Sequence, residues 1–179
     1  MMGGLYMDDP YELLLKRRSI RSFKDEEIPE GTMQKVLTAG RYAPSALGLQ
    51  NRFFSVVQSR SLMKKIIAVA EKNGAAYISG HVPFYNAPDV IVVSAPEDFR
   101  YNREDAACVI ENLMLAACAL GLGSCYLCSV LPGLRDPEIM KELKLPHGYV
   151  PCGCACVGYP AVPVPAPKSR RKDDTVFLR

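Results

Sequence analysis

One sheet of about four strands, flanked by helices, is the architecture that the 179-residue sequence predicts. Three observations predict it. A chain with 49% hydrophobic and 23% charged residues can bury a full core, and its length suggests a single domain over 1–179. Short runs rich in branched or aromatic residues are interspersed irregularly with amphipathic segments. That mixed order argues against the regular βαβ alternation of a doubly wound nucleotide fold. No internal repeat and no linker of shifted composition divides the chain.

The first helix is expected over 11–18, with Asp9 or Asp8 as its cap and Pro10 in the first turn, where a missing N–H does no harm. A second, over 29–42, carries Met33, Val36 and Leu37 at helical spacing and stops before Pro44. Between them lie the basic run Arg17-Arg18-Ser19-Ile20-Arg21 and the acidic, turn-like Lys24-Asp25-Glu26-Glu27. Residues 53–58, aromatic and branched, make a first strand. A helix follows over 61–72, then an irregular stretch over 73–86, where Gly74, Gly80 and Pro83 break any period. The apolar run 90–94 reads as a strand covered on both faces.

The next helix, over 103–120, is apolar nearly all round, since Cys108, Val109, Ile110, Leu113, Met114, Leu115 and Cys118 cover every side. Such a helix is central in its own domain or buried against a second chain. Gly121-Leu122-Gly123-Ser124 ends it, and a short strand over 125–129 leads to a Pro132-Gly133 turn. A last helix over 137–143 and a fourth strand over 150–157 follow. From Tyr159, the prolines Pro160, Pro163, Pro165 and Pro167 impose an extended arm that lies on its own domain or on a partner.

Several function classes are disfavoured. The longest apolar stretch, 106–127, is broken by Glu111, Asn112, Gly121, Gly123 and Ser124 and reads as a buried helix rather than a membrane span. The first residues lack the pattern of a secretory signal, so a cytoplasmic location is expected. A net charge of +3 is too small to suggest a nucleic-acid binder. The two histidines, His81 and His147, stand in no zinc or triad spacing; His147 suits a turn, and His81 either lines a pocket or simply packs. No P-loop or dinucleotide-binding glycine motif is present.

Seven cysteines without a secretory leader read as reduced thiols. Cys152, Cys154 and Cys156 alternate with Gly153 and Ala155, which on a strand places all three sulfurs on one face. They are too far apart along it to join, and small buried hydrophobes are favoured over a metal site. Cys125-x-x-Cys128 follows a helix instead of opening one, so structural thiols are favoured there too.

Two basic clusters remain: Lys16, Arg17, Arg18 and Arg21, and Lys168, Arg170, Arg171 and Lys172. Each alone is ordinarily a solvated surface. Together, flanking one domain, they suggest a phosphate, which needs several donors and positive charge at fixed positions; Arg17 could meet Lys168 and Arg170 around one.

Four motifs resemble the nitroreductase family. They are Arg17-Arg18-Ser19-Ile20-Arg21-Ser22-Phe23; Ala43-Pro44-Ser45-Ala46 with Gln50; Leu115-Ala116-Ala117-Cys118-Ala119-Leu120-Gly121-Leu122-Gly123-Ser124-Cys125; and Gly158-Tyr159-Pro160 followed by Lys168-Ser169-Arg170. They occur in the family's order across nearly the whole chain. The resemblance implies an α+β fold with a central mixed sheet of four to five strands, a homodimer whose C-terminal arm lies on the partner, and FMN at the interface. By position, Arg17, Arg18 and Ser19 hold the phosphate and ribityl chain, Arg21 lies near the pyrimidine edge, and Lys168 and Arg170 return to the phosphate. From the second subunit, Pro44, Ser45, Ala46 and Gln50 cover the ring, while the backbone of Tyr126, Leu127, Cys128 and Ser129 passes its other edge.

The implied activity takes hydride from NADH or NADPH onto FMN and then reduces a nitroaromatic, quinone or related electron-poor acceptor. A guanidinium beside the pyrimidine edge stabilises the reduced ring, so no catalytic side chain is required. Gly48 and Asn51-Arg52 depart from the family's Asn and Pro-Trp, and little chain lies between Ala70 and Ala87 to build a lid. The alternatives are an FMN enzyme of the same fold for enone reduction or reductive dehalogenation, a metal- or redox-binding module using Cys125, Cys128, Cys152, Cys154 and Cys156, and a non-catalytic FMN- or nucleotide-binding dimer.

Overall fold

A computed structural model describes residues 9–179. Helix α1 (Pro10–Lys16) is capped by Asp9, whose carboxylate accepts from the Tyr11 N–H at 3.0 Å. Asp8, the other expected cap, lies outside the described residues. The helix stops before Arg17, which adopts extended backbone with φ −52 and ψ 131, earlier than the sequence suggests. Arg17 and Arg18 are thereby released from a helical turn into an open strip.

Helix α2 (Glu30–Arg41) leads through a short 3-10 turn, Ala46–Gly48, to strand β1 (Phe53–Val57). Then come α3 (Arg60–Lys72), β2 (Asp89–Pro96), α4 (Asn102–Ala119), β3 (Gly123–Leu127), α5 (Leu131–Leu134), α6 (Pro137–Glu142) and β4 (Tyr149–Gly158). The four strands run in the order β1-β2-β4-β3, and every neighbouring pair is antiparallel. The mixed character expected of the sheet is confined to one parallel bridge between Ser19 and Ser124.

Strand β2 sorts its side chains between two cores. Ile91, Val93 and Ala95 join Val36 and Leu37 of α2 and Val109, Ile110 and Leu113 of α4. Val90 and Val92 join Met63 and Ile66 of α3, Leu134 of α5 and Ile139 of α6. This alternation through a run that is apolar except for Ser94 is what a strand sandwiched between helices requires.

Three local differences from the sequence reading have physical causes. Strand β3 begins at Gly123 rather than Cys125, because Gly121 at φ +76 ends α4 and the Leu122 N–H closes on Ala117 O at 2.8 Å; Cys128 and Ser129 therefore fall beyond the strand. The Pro132-Gly133 turn is the short helix α5, pressed so closely on α3 that a Cβ at Gly133 would collide with the Ile66 carbonyl oxygen. The cysteines of β4 do not share one face. Val93 pairs with Gly153 but Ser94 pairs with Pro151, a bulge that skips Cys152. Cys152 packs in the core beneath α4, whereas Cys154 and Cys156 lie in the other core with Cys125.

Candidate active site

The basic run is laid against β3, one of the two edge strands. Ser19 bridges Ser124, and the Ile20 N–H donates to Ser124 O at 2.8 Å. Gly123 permits the approach, since a Cβ there would meet Ile20 Cβ at 2.8 Å. The run then pairs with the C-terminal arm. Ala161 N–H donates to Ser22 O at 3.0 Å, Phe23 bridges Pro160 in antiparallel sense, and Lys24 N–H donates to Tyr159 O at 2.9 Å. Continued, that antiparallel course returns Pro165 and Ala166 to the neighbourhood of Arg17 and Arg18.

The result is a cavity of about 330 Å³ lined by Arg17, Arg18, Ser19, Arg21, Pro165, Ala166, Lys168 and Arg170. Both basic clusters meet in it, and no carboxylate is among its lining residues. Arg17 Nε pairs with Glu111 at 3.2 Å, fixing that side chain against α4. Arg18 Nη1 donates to the carbonyls of Leu15 at 2.5 Å and Arg17 at 2.8 Å, while its Nε is buried without a protein partner. Arg21 lies over the Tyr85 ring at 5.9 Å, and a hydrogen bond with Tyr85 holds its guanidinium even more firmly protonated than usual. An opening of about 400 Å³ at the opposite edge, along β1, includes one carboxylate, Glu142, and one ammonium, Lys144, and has no such charge bias.

The other two expected groups of site residues stand apart from this cavity. Ser45 and Gln50, with Gly48, Arg41 and Arg52, line a separate opening of about 410 Å³ that shares no residue with the basic one. Gln50 N–H donates to Ser45 Oγ at 3.0 Å, and Ala46 N–H donates to Asp105 Oδ1 at 2.9 Å. Leu47, Gly48 and Gln50 all have left-handed backbone, and the Leu47 side chain is 84% exposed. Pro44 lines neither opening. Tyr126 and Leu127 end β3; Cys128 and Ser129 follow in a turn whose Leu131 N–H donates to Cys128 O at 3.0 Å.

A chain of ring contacts connects the cavity to that turn. From Arg21 it passes to Tyr85, then to His81 with ring centroids 5.5 Å apart, then to Tyr77 at 5.6 Å. The Tyr77 hydroxyl donates to Ser129 O at 3.2 Å.

A model of the nitroreductase family matches residues 14–159. The chain belongs to the nitroreductase family. It is 31% identical to an NADPH-dependent oxidoreductase of Staphylococcus haemolyticus, covering 95% of this chain and 72% of that one. It is 28% identical to an iodotyrosine deiodinase of Thermotoga neapolitana, over 78% of this chain and 87% of the relative. A crystal structure of a nitroreductase with bound FMN from Desulfitobacterium hafniense superimposes with a TM-score of 0.86 at 25% identity, over 97% of this chain and 100% of that one.

Among the described residues of this nitroreductase-family chain no three or more His, Cys, Asp or Glu side chains converge to hold an ion. The thiols instead donate to nearby carbonyls, Cys152 to Val150 O at 3.4 Å, Cys154 to Leu127 O at 3.5 Å and Cys156 to Cys125 O at 3.6 Å. Nor is any helix among the described residues long and apolar enough to cross a membrane.

Sequence reasoning did not single out Glu111, Asp105, Tyr77 or Tyr85. Glu111 and Asp105 sit on the helix bearing the family's central motif, but only the fold shows that they face Arg17 and Ala46. For Tyr77 and Tyr85 the one available signal was their spacing, each four residues from His81 in a stretch with no helical period.

Proposed function

We propose that this chain is an NAD(P)H-dependent flavin oxidoreductase that works as a homodimer with FMN bound at the interface. The carrying observation is the basic cavity, in which five cationic side chains and the Ser19 hydroxyl converge from opposite ends of the sequence. A flavin phosphate fits that set. Its oxygens would satisfy the buried Arg18 Nε, whose lack of a partner is otherwise costly, and they match the planar forks of several arginines.

Arg17, Arg18, Ser19, Lys168 and Arg170 hold the phosphate and ribityl chain. Arg21 stands at the pyrimidine edge, where its firmly held positive charge favours electron acceptance. Pro44, Ser45, Ala46 and Gln50 of the second subunit cover the ring. The separation of their opening from the basic cavity within one chain supports that division. The backbone of Tyr126, Leu127, Cys128 and Ser129 passes the other edge.

When bound, FMN supplies the hydride-accepting ring between NADH or NADPH and the acceptor. The chain's own task is to bind and orient. Exposed Tyr11, Leu14 and Leu15 on α1, and Val176, Phe177 and Leu178 at the arm's end, are apolar surface suited to a second copy. Although the arm lies on its own chain as far as Arg170, its last residues are free to reach that copy. All seven cysteines are unpaired, as a reducing compartment permits, and a cytoplasmic location is part of this reading.

Nitroaromatics and quinones are the acceptors it favours. The likeness to a deiodinase supports a second reading, reductive dehalogenation in the same site. Purified protein should show flavin absorption bands, and anaerobic mixing with NADPH or NADH should bleach them. Bound flavin that neither nucleotide bleaches would leave a non-catalytic flavin binder.

A further inference from the structure

The segment 73–86 has no helix or strand, yet it is tightly built. His81 N–H donates to Ile78 O at 2.9 Å, Tyr85 N–H to Val82 O at 2.8 Å and Ala87 N–H to Phe84 O at 2.9 Å. These successive turns set Tyr77, His81 and Tyr85 four residues apart with their rings in contact. Tyr85 and Asn86 both adopt left-handed backbone, at φ 53 and φ 58; Asn tolerates it readily, but for Tyr85 it is a strained conformation that persists only when its surroundings enforce it. Arg60 does so: its Nη1 donates to Asn86 O at 3.0 Å and Ala87 O at 2.8 Å, while Phe84 is buried beneath.

The geometry points to Tyr77, His81 and Tyr85 as a stacking wall that selects planar, electron-poor aromatic acceptors, an assignment that rests on the flavoenzyme reading above. The wall runs from Arg21 to Ser129, the residues assigned to two different edges of the flavin ring. It therefore borders the space in which an acceptor must lie against that ring. Two of its three members are phenols, whose electron-rich faces complement a quinone or nitroarene in offset or edge-to-face contact. Ile78, 82% exposed, and Val82, 43% exposed, add uncovered apolar surface to the same segment. The departures at Gly48 and in the short lid region thus leave recognition to an aromatic segment that needs no additional chain.

The chain contains only two histidines, so proton NMR of the imidazole rings reads this wall directly. Flavin-loaded protein is titrated with duroquinone, which is fully substituted and so resists addition of thiols. The His81 ring signals should shift saturably while those of His147 stay fixed. Tyr77→Leu should raise the KM for duroquinone about ten-fold relative to that for ferricyanide, an acceptor with no ring to stack. Tyr77→Phe, which keeps the ring and loses only the bond to Ser129, should restore most of the difference. His81 signals that stay still in a flavin-loaded protein that turns over duroquinone would overturn the wall alone. A protein that retains no flavin and oxidises no nicotinamide would overturn the oxidoreductase reading and the wall's role with it.

Discussion

The Ala46 N–H donates to Asp105 Oδ1 at 2.9 Å, across 59 residues of sequence, and pins the loop after α2 to the first turn of α4. Asp105 is buried in that first turn, and its second oxygen has no partner. Asp105→Ala should loosen the loop by about 1–2 kcal/mol, the net worth of a partly buried hydrogen bond to a carboxylate. Faster protease cleavage within 44–50 and brighter, less covered flavin fluorescence should accompany it. Asp105→Asn keeps an acceptor and should fall between the two. Parent-like behaviour of the alanine variant in both assays would contradict the tether.

The basic cavity predicts two separable effects. Arg17→Ala or Arg170→Ala should weaken FMN binding by about 1.5–3 kcal/mol, the range for a charge-assisted hydrogen bond, and added FMN should restore activity. Because these cations are partly exposed, retention should also fall with salt. Arg21→Ala should instead lower the potential of bound flavin, as read by equilibration with redox dyes. Equal effects of all three substitutions on retention alone would remove the division of roles.

Gly133→Ala should be among the most damaging single-methyl changes in the chain. The added Cβ collides with the Ile66 carbonyl and lies 2.8 Å from Ala70 N, both backbone atoms of α3 that cannot rotate away. A loss of about 1–3 kcal/mol is expected from overpacking, measurable by urea denaturation, and it should exceed that of Gly31→Ala, where the space is open.

Cys125 and Cys156 face each other across β3 and β4. The hydrogen bond with Cys156 lowers the Cys125 thiol from 9.0 to about 7 against the cost of burial, helped by Arg21, Ser19 and Arg17, while Cys156 is driven upward. A folded value below the unfolded one means that ionised Cys125 stabilises the fold as pH rises from about 7, fully above about 9, and that this contribution is lost as pH falls through 7. Thiolate absorbance should show a step near neutral pH that Cys125→Ser removes and Arg21→Ala moves upward. A titration with no step below the ordinary thiol range would refute the coupling.

The features visible in sequence are those whose cause is local. Pro10, Asp9, Gly121 and the apolar run of β2 announce themselves by residue type, and the two basic clusters stand out by charge. What stayed hidden depends on what lies opposite. Cys152 changes face because Pro151 and Gly153 meet β2 out of step, and no alternation along β4 alone reveals that. Arg17 is steadied by Glu111, which a linear reading leaves as a break in an apolar helix. The Tyr77, His81 and Tyr85 contacts arise from three turns rather than a helix, so their regular spacing has no periodic signature.

On the two-chain site proposed above, the separation of the Ser45 and Gln50 opening from the Arg17 to Arg170 cavity has a genetic consequence. A subunit carrying a defective cradle still lends an intact loop to its neighbour, and one with a defective loop still lends an intact cradle. At limiting FMN, where the Arg17 variant is empty, it and an inactive Gln50 variant should therefore complement each other when their subunits are exchanged, giving mixed dimers with one working centre out of two.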